Sequence, residues 1–266
     1  MIGDALVQRL ADELAAAAEQ ARPVEPLTAR VADLDLVGAY AVQRALVQRW
    51  TGGGQQVVGH KVGLTSVAMQ EQLGVDQPDS GVLLDGMVLS DGAVLDVDRL
   101  IAPRVEAEVA FVLGADVPAG ATREQFLAAV ESVAVALEVV DSRIVDWRIA
   151  VQDTVADNAS CAFVVVGWPV PVADVGDLRT IGLVLRRNGE VEATGAGAAV
   201  LGDPVLALTW LADRLAEQGE RLRAGQVVLP GAVHASVPLV AGDVVTATGS
   251  ALGSVSLRAS GTGALQ

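Results

Sequence analysis

Two strand-like stretches of this chain carry acid where apolar side chains are expected. Val105-Glu-Ala-Glu-Val-Ala-Phe-Val-Leu113 and Val133-Ala-Val-Ala-Leu-Glu-Val-Val140 are otherwise built of apolar, mostly small or β-branched residues, yet hold Glu106, Glu108 and Glu138. Alternate residues of a strand share a face, so Glu106 and Glu108 point the same way. Glu138 shares its side with Ala134, Ala136 and Val140, a pattern of burial. A carboxylate in such surroundings is costly unless it is protonated, paired with a base or bound to a cation. Three oxygen donors without clustered His or Cys suit a hard cation such as Mg²⁺ or Mn²⁺. Two plainer readings stay open on the residues alone: Glu106 and Glu108 on a solvent-facing edge, and Glu138 in a buried ion pair with Arg104 or Arg143.

A chain of 266 residues can bury a sizeable core, as one large domain or two small ones. Aromatics are 3 % against 52 % apolar residues, so small and β-branched side chains must do the packing. Mean hydropathy is positive, but Asp, Glu, Arg or Gly interrupts every apolar run before it reaches bilayer-spanning length. The start, Met1-Ile-Gly-Asp-Ala-Leu6, lacks the basic residues and apolar block of a signal peptide. The lone Cys161 gives no disulfide framework. A soluble cytoplasmic protein, without membrane partners, is expected. The formal charge of −15 disfavours nucleic acid. It does not exclude a small anionic substrate, because a local cation can reverse the sign of a pocket.

The spacing of Leu6, Leu10 and Leu14 predicts a helix, and a second is expected over 36–50, stopped by Thr51-Gly-Gly-Gly54. A short strand follows over 57–64, then a brief helix over 67–73 capped by Thr65 or Ser66. Beyond Gly81 the pattern turns to strands, near 82–90, 105–113, 133–140, 161–167, 181–187, 190–194, 226–229, 243–248 and 253–258. Asn188-Gly189 signals a two-residue hairpin. Two helices interrupt the strands. One has a capping box of Thr122 and Gln125; the other has Asp203 as N-cap, Pro204 at its first position and Gly219 as its stop. The expected class is α+β: a mostly helical N-terminal region, 1–80, on a mixed β body, 81–266, carrying two inserted helices.

Lys61 is the second chemical candidate. In Gly59-His-Lys-Val-Gly63, alternation puts the amine between two glycines on one face, leaving room for a ligand to lie against it. A lysine pushed towards neutrality there could move protons; the plain alternative is a snorkelling surface lysine. His60 falls on the opposite, apolar face and reads as a packed core residue. Asp76-Gln-Pro-Asp79-Ser-Gly81 and Asp157-Asn-Ala-Ser160-Cys161 read as turns, or as loops offering polar groups to a pocket rim. Other motifs fail. Gly54 to Lys61 has His60 where a phosphate loop needs its lysine. Gly195-Ala-Gly-Ala-Ala-Val200 lacks the third glycine of a dinucleotide fingerprint. No Gly-x-Ser-x-Gly elbow occurs, two histidines make a His-based triad improbable, and Cys161 reads as a small buried hydrophobe.

Six blocks in fixed order carry a resemblance: Gly59-His-Lys61-Val-Gly-Leu-Thr65, Leu73-Gly-Val-Asp-Gln-Pro-Asp79, Pro103-Arg-Val-Glu106-Ala-Glu108, Leu137-Glu138-Val-Val-Asp-Ser-Arg143, Asp153-Thr-Val-Ala-Asp-Asn-Ala-Ser160 and Leu252-Gly-Ser-Val255. Together they resemble the 2-keto-4-pentenoate hydratase and 4-oxalocrotonate decarboxylase family of the fumarylacetoacetate hydrolase superfamily, most clearly over 57–257. The resemblance implies a β-sandwich or β-roll body of that superfamily's C-terminal type and a divalent metal, usually Mg²⁺ (Mn²⁺ as the variant), held by Glu106, Glu108 and Glu138. It also implies Lys61 and Asp79 at the reacting carbons, with Ser160 near the substrate carboxylate, and a homo-oligomer.

The activity so implied is hydration of a 2-hydroxypenta-2,4-dienoate-like acid to a 4-hydroxy-2-oxo acid. Decarboxylation of a 4-oxalocrotonate-type acid is the alternative, as is a non-catalytic partner subunit of such an enzyme pair. Val75-Asp-Gln-Pro-Asp79 and Thr209-Trp-Leu-Ala212 look more like the hydratases; Gly195 to Gly202 looks more like the decarboxylases. Two departures stand out. Ser80 replaces an aromatic residue usual in hydratases, which is expected to widen the pocket. His234, in Leu229-Pro-Gly-Ala-Val-His234, either rests in its loop or brings a new polar group to the site.

Overall fold

A computed structural model of the chain describes residues 2–66, 70 and 74–264. Three helices open it: α1 (Asp4–Gln20), α2 (Leu27–Arg30) and α3 (Leu36–Gly52). The Asp35 carboxylate caps α3 by accepting from Gly38 N at 2.7 Å. The expected helix over 67–73 lies, Gln70 apart, outside the described residues.

Strands then dominate: β1 (Val57–Gly63), β2 (Asp79–Leu84), β3 (Val88–Ser90), β4 (Ala93–Asp96), β5 (Arg104–Leu113), β6 (Val130–Val140), β7 (Cys161–Val166), β8 (Val170–Pro171), β9 (Gly182–Arg187), β10 (Glu190–Ala196), β11 (Val227–Leu229), β12 (Val237–Pro238), β13 (Val244–Gly249) and β14 (Gly253–Ser260). Between them lie α4 (Arg123–Ala129), α5 (Val151–Ala156) and α6 (Pro204–Glu217). The capping box of Thr122 and Gln125, the Asp203 cap with Pro204, and the Asn188-Gly189 hairpin all form as expected. α5 was not expected. Its carboxylate at Asp153 accepts from Ala150 N and from the distant Thr28, a tertiary anchor that no local pattern displays.

One mixed sheet runs β2-β1-β11-β5-β6-β7-β3, with β12 beside β5 and β8 beside β6; the other runs β10-β9-β13-β14-β4. The single strand expected over 82–90 is two, because Asp85-Gly86 turns the chain and the Asp85 carboxylate accepts from Gln56 N and Gly86 N. Residue 80, where a helical part was expected to give way to the β body, falls inside β2. Both β1 and β2 belong to the larger sheet, so its strands come from both sides of that position.

The odd-numbered residues from Val105 to Leu113 and from Val133 to Val139 pack against Leu183, Leu185, Val245, Val255 and Leu257 of the second sheet, forming the main core. The opposite face holds a smaller cluster that includes Leu83, Ala110, Ala136, Val164 and Leu229. α1 and α3 bury their apolar faces with α5 and Ile144 in a separate helical layer. Among the described residues no helix is long and apolar enough to cross a membrane.

Candidate active site and metal centre

Antiparallel pairing of β5 with β6 sets Glu106 directly opposite Glu138, while Glu108 faces Ala136. All three carboxylates rise from the face away from the main core, with oxygens mutually within 4.8 Å. Glu108 and Glu138 are fully buried, and Glu106 is partly open to a cavity. The plainer reading of a solvent-facing edge therefore does not hold. Gly231 N donates to Glu108 Oε2 at 2.9 Å, but Glu108 Oε1 and both Glu138 oxygens have no hydrogen-bond partner.

The ion-pair reading also falls short. Arg143 is committed to Asp157, at 2.5 Å. The base beside Glu138 is Lys61, its Nζ 3.3 Å from Oε1, and one ammonium cannot balance three carboxylates. At an effective dielectric near 20, two like charges 4.8 Å apart repel by about 3 kcal/mol. Orphaned buried oxygens and an all-carboxylate donor set fit a hard divalent cation.

Burial, then the neighbouring Glu138, pushes Glu106 from its ordinary 4.5 up to about 7 and raises Glu108 well above its usual range. Both acids thus hold protons more tightly folded than unfolded. Their contribution to stability is favourable at low pH and is lost as pH rises from 4.5 through about 7, and beyond for Glu108. Metal-free protein is expected to lose several degrees of Tm between pH 5 and pH 8, and a saturating divalent cation is expected to cancel the loss. A flat profile in chelator would show that the carboxylates carry no such burden.

β1 delivers Lys61 to the same face, where Nζ donates to Ala159 O at 3.0 Å. The glycines flanking it do not leave a floor for ligand. A Cβ at Gly59 would lie 1.9 Å from Val227 O, and one at Gly63 would lie 2.3 Å from Asp79 Oδ1. The first glycine lets β11 approach and the second makes room for the Asp79 carboxylate. Nor is Lys61 pushed towards neutrality. Burial, the largest single influence, acts to lower its pKa, but the surrounding acidic groups, Glu138 foremost and then Asp79, together hold the ammonium well above its usual range. Burial raises Asp79 despite the nearby Lys61, and its Oδ1 has no partner. His60 is buried on the far face, and burial holds it neutral, down to about 4. Burial, then Glu138, pushes the Cys161 thiol well up, which unsuits it as a nucleophile.

Ser160 ends a turn in which Asn158, Ala159 and Ser160 all have φ between 51° and 54°. Three successive left-handed non-glycine residues cost roughly 1–2 kcal/mol each, and the surroundings hold them there. Arg143 donates to Asp157 O, to the Asp157 carboxylate and to Cys161 O. The Asn158 amide pairs with both N and O of Val82. These polar groups therefore clamp other segments rather than their own backbone. The clamp aims Ala159 O at Lys61.

Lys61, Asp79, Glu106, Glu108, Glu138 and Ser160 all line one cavity of about 680 Å³. Arg104, Trp147, Thr154 and His234 join them there. His234 Nε2 accepts from Ala107 N at 3.2 Å, between two of the acids, so His234 does bring a polar group to the site. Ser80 does not widen it. Ser80 sits beyond the cavity lining, its carbonyl accepting from Gln43 of α3 at 2.7 Å.

Residues 64–259 match the C-terminal family of fumarylacetoacetate hydrolase. The 2-keto-4-pentenoate hydratase of Paraburkholderia xenovorans is 44 % identical over 250 residues, covering 93 % of each chain. A 2-hydroxypent-2,4-dienoate hydratase of Pseudomonas putida is 45 % identical over 216 residues, 80 % of this chain and 97 % of that one. Among solved structures, the 4-oxalocrotonate decarboxylase of Pseudomonas putida G7, complexed with magnesium and adipate, superposes with a TM-score of 0.94 at 37 % identity, over 97 % of this chain and 99 % of that chain. With family, relatives and fold in agreement, the chain belongs to the fumarylacetoacetate hydrolase family, in its 2-keto-4-pentenoate hydratase and 4-oxalocrotonate decarboxylase group.

Proposed function

We propose that this protein is a divalent-metal-dependent hydro-lyase that converts a 2-hydroxypenta-2,4-dienoate-like acid to a 4-hydroxy-2-oxo acid. The observation that carries the reading is the convergence of three buried carboxylates with Lys61 and Asp79 in one cavity. The hydratase names of relatives covering nearly the whole chain support it. Glu106, Glu108 and Glu138 would hold the cation, with Mg²⁺ the first choice for hard oxygen donors. When bound, it supplies Lewis acidity towards the substrate 2-oxygen.

The remaining work falls to the chain itself. Net tautomerisation moves a proton from the 2-hydroxyl to C5, giving a 2-oxo-3-enoate. Water then adds at C4 and a proton at C3. Asp79, whose pKa burial raises despite the nearby Lys61, lines the cavity as a carboxyl group placed to give or take a proton. Lys61 is fixed by Ala159 O and Glu138, so its ammonium is aimed rather than free to snorkel. Held there as an ammonium, it can donate a proton or a hydrogen bond to negative charge developing in the cavity.

Decarboxylation is the second reading, favoured by the likeness to the decarboxylase complexed with magnesium and adipate. Following dienol absorbance with Mg²⁺ and then with excess chelator tests the shared chemistry: activity should vanish with the metal. Product analysis decides between the two. A hydroxylated product of unchanged carbon count supports hydration, and release of CO₂ supports decarboxylation. Full turnover in chelator would refute both.

A further inference from the structure

Two cations besides the metal could face the substrate in this cavity, and they stand differently. The Lys61 charge is taken up by Glu138 at 3.3 Å. Arg104 also lines the cavity, yet among the described residues no carboxylate lies within 4.0 Å of its guanidinium. It is nevertheless held in place. Its guanidinium carbon sits 5.3 Å from the centre of the Trp147 ring, and Nη1 donates to Ser236 Oγ at 3.4 Å. Trp147 is itself fixed, its Nε1–H donating to Ala102 O at 3.0 Å from a backbone with φ of 55°.

Register then locates this charge. Glu106, Glu138 and Val164 form one row across β5, β6 and β7; Arg104, Val140 and Cys161 form the neighbouring row. Cys161 therefore ends the row that Arg104 begins, roughly 10 Å away at the usual strand spacing, and Ser160, the residue before it, lines the same cavity as Arg104. The cavity that both residues line is the one that holds Glu106, Glu108 and Glu138. A 2-oxo acid that chelates a cation through its 2-oxygen and one carboxylate oxygen leaves the other carboxylate oxygen free.

We propose that Arg104, braced on Trp147, is the substrate-binding residue that grips this free carboxylate oxygen, with Ser160 closing on it from the opposite side. The proposal rests on the 2-oxo acid reading above. A planar, fixed guanidinium suits a carboxylate better than a mobile ammonium. It would act on binding of the acid, not on proton transfer.

The test is calorimetric titration of Mg²⁺-loaded wild type, Arg104→Met and Arg104→Lys with three chelators: 2-oxopentanoate, 2-oxoadipate and acetohydroxamate. Methionine keeps an apolar stem against Trp147, and lysine keeps the charge, so at least one variant should fold normally. For Arg104→Met, affinity for both oxo acids should fall about 10- to 100-fold, the range for losing a charge-assisted hydrogen bond. Acetohydroxamate, which lacks a carboxylate, should change by less than about threefold, and Arg104→Lys should recover part of the loss. Equal weakening of acetohydroxamate would mean that Arg104 supports the metal ligands instead. Weakening of 2-oxoadipate alone would assign it to a second, remote carboxylate. Either result, or no change, overturns the proposal. Because binding is read without turnover, a lack of hydratase activity would count against the proposed reaction and not against this role.

Discussion

Glu108→Gln is expected to abolish divalent-metal binding and lower turnover by at least about 10³-fold, while making the metal-free protein more stable than wild type. The two effects share one cause. Glu108 is fully buried, has one oxygen without a partner, and is pushed well up by burial and by Glu138. A neutral amide of the same shape keeps an oxygen for the Gly231 N–H and removes the repulsion. The same change removes an anionic donor, and with it Lewis acidity that contributes several kcal/mol to such reactions. Thermal melts in chelator, metal titration and a turnover assay check the three parts. A variant that lost stability in chelator, or kept its metal, would contradict this account of the cluster.

Lys61→Met should show the reverse pattern. Turnover is expected to fall about 10²- to 10⁴-fold, the usual weight of a positioned proton-transfer group, with divalent-metal affinity retained. The metal-free protein should be destabilised by about 3 kcal/mol or more, because Glu138 would lose the ammonium it is paired with in a fully buried site. Added metal should restore most of that loss. Opposite signs of stability change for Glu108→Gln and Lys61→Met, each read with and without cation, separate a metal centre from an ordinary buried ion pair. If Lys61→Met kept full turnover, Lys61 would be a structural partner of Glu138 and nothing more.

The acids were legible from the sequence because strand alternation survives folding: Glu106, Glu108 and Glu138 do share a face, and burial of Glu138 among alanines was visible as pattern. What pairing adds was not. That Glu106 meets Glu138 exactly opposite depends on the register of β5 with β6, and the Gly59 space is filled by β11 from residues far along the chain. The charge state of Lys61 is hidden for the same reason, since the carboxylates that hold its charge come from other strands. Arg143 looked available to Glu138 but is spent on Asp157 and the left-handed turn. Alternation alone would have put Arg104 on the face of Glu106, two residues away, so its place in the cavity was within reach. Trp147 and His234 reach the cavity through loops whose course leaves no periodic signal.

The most direct measurement is anomalous diffraction from crystals soaked in Mn²⁺, a heavier stand-in for Mg²⁺ with the same taste for oxygen ligands. One strong peak is expected per chain, within bonding distance of oxygens from Glu106, Glu108 and Glu138 together. No peak there at saturating Mn²⁺, in protein that still turns over its substrate, would contradict the claim that these three strand acids form the metal centre.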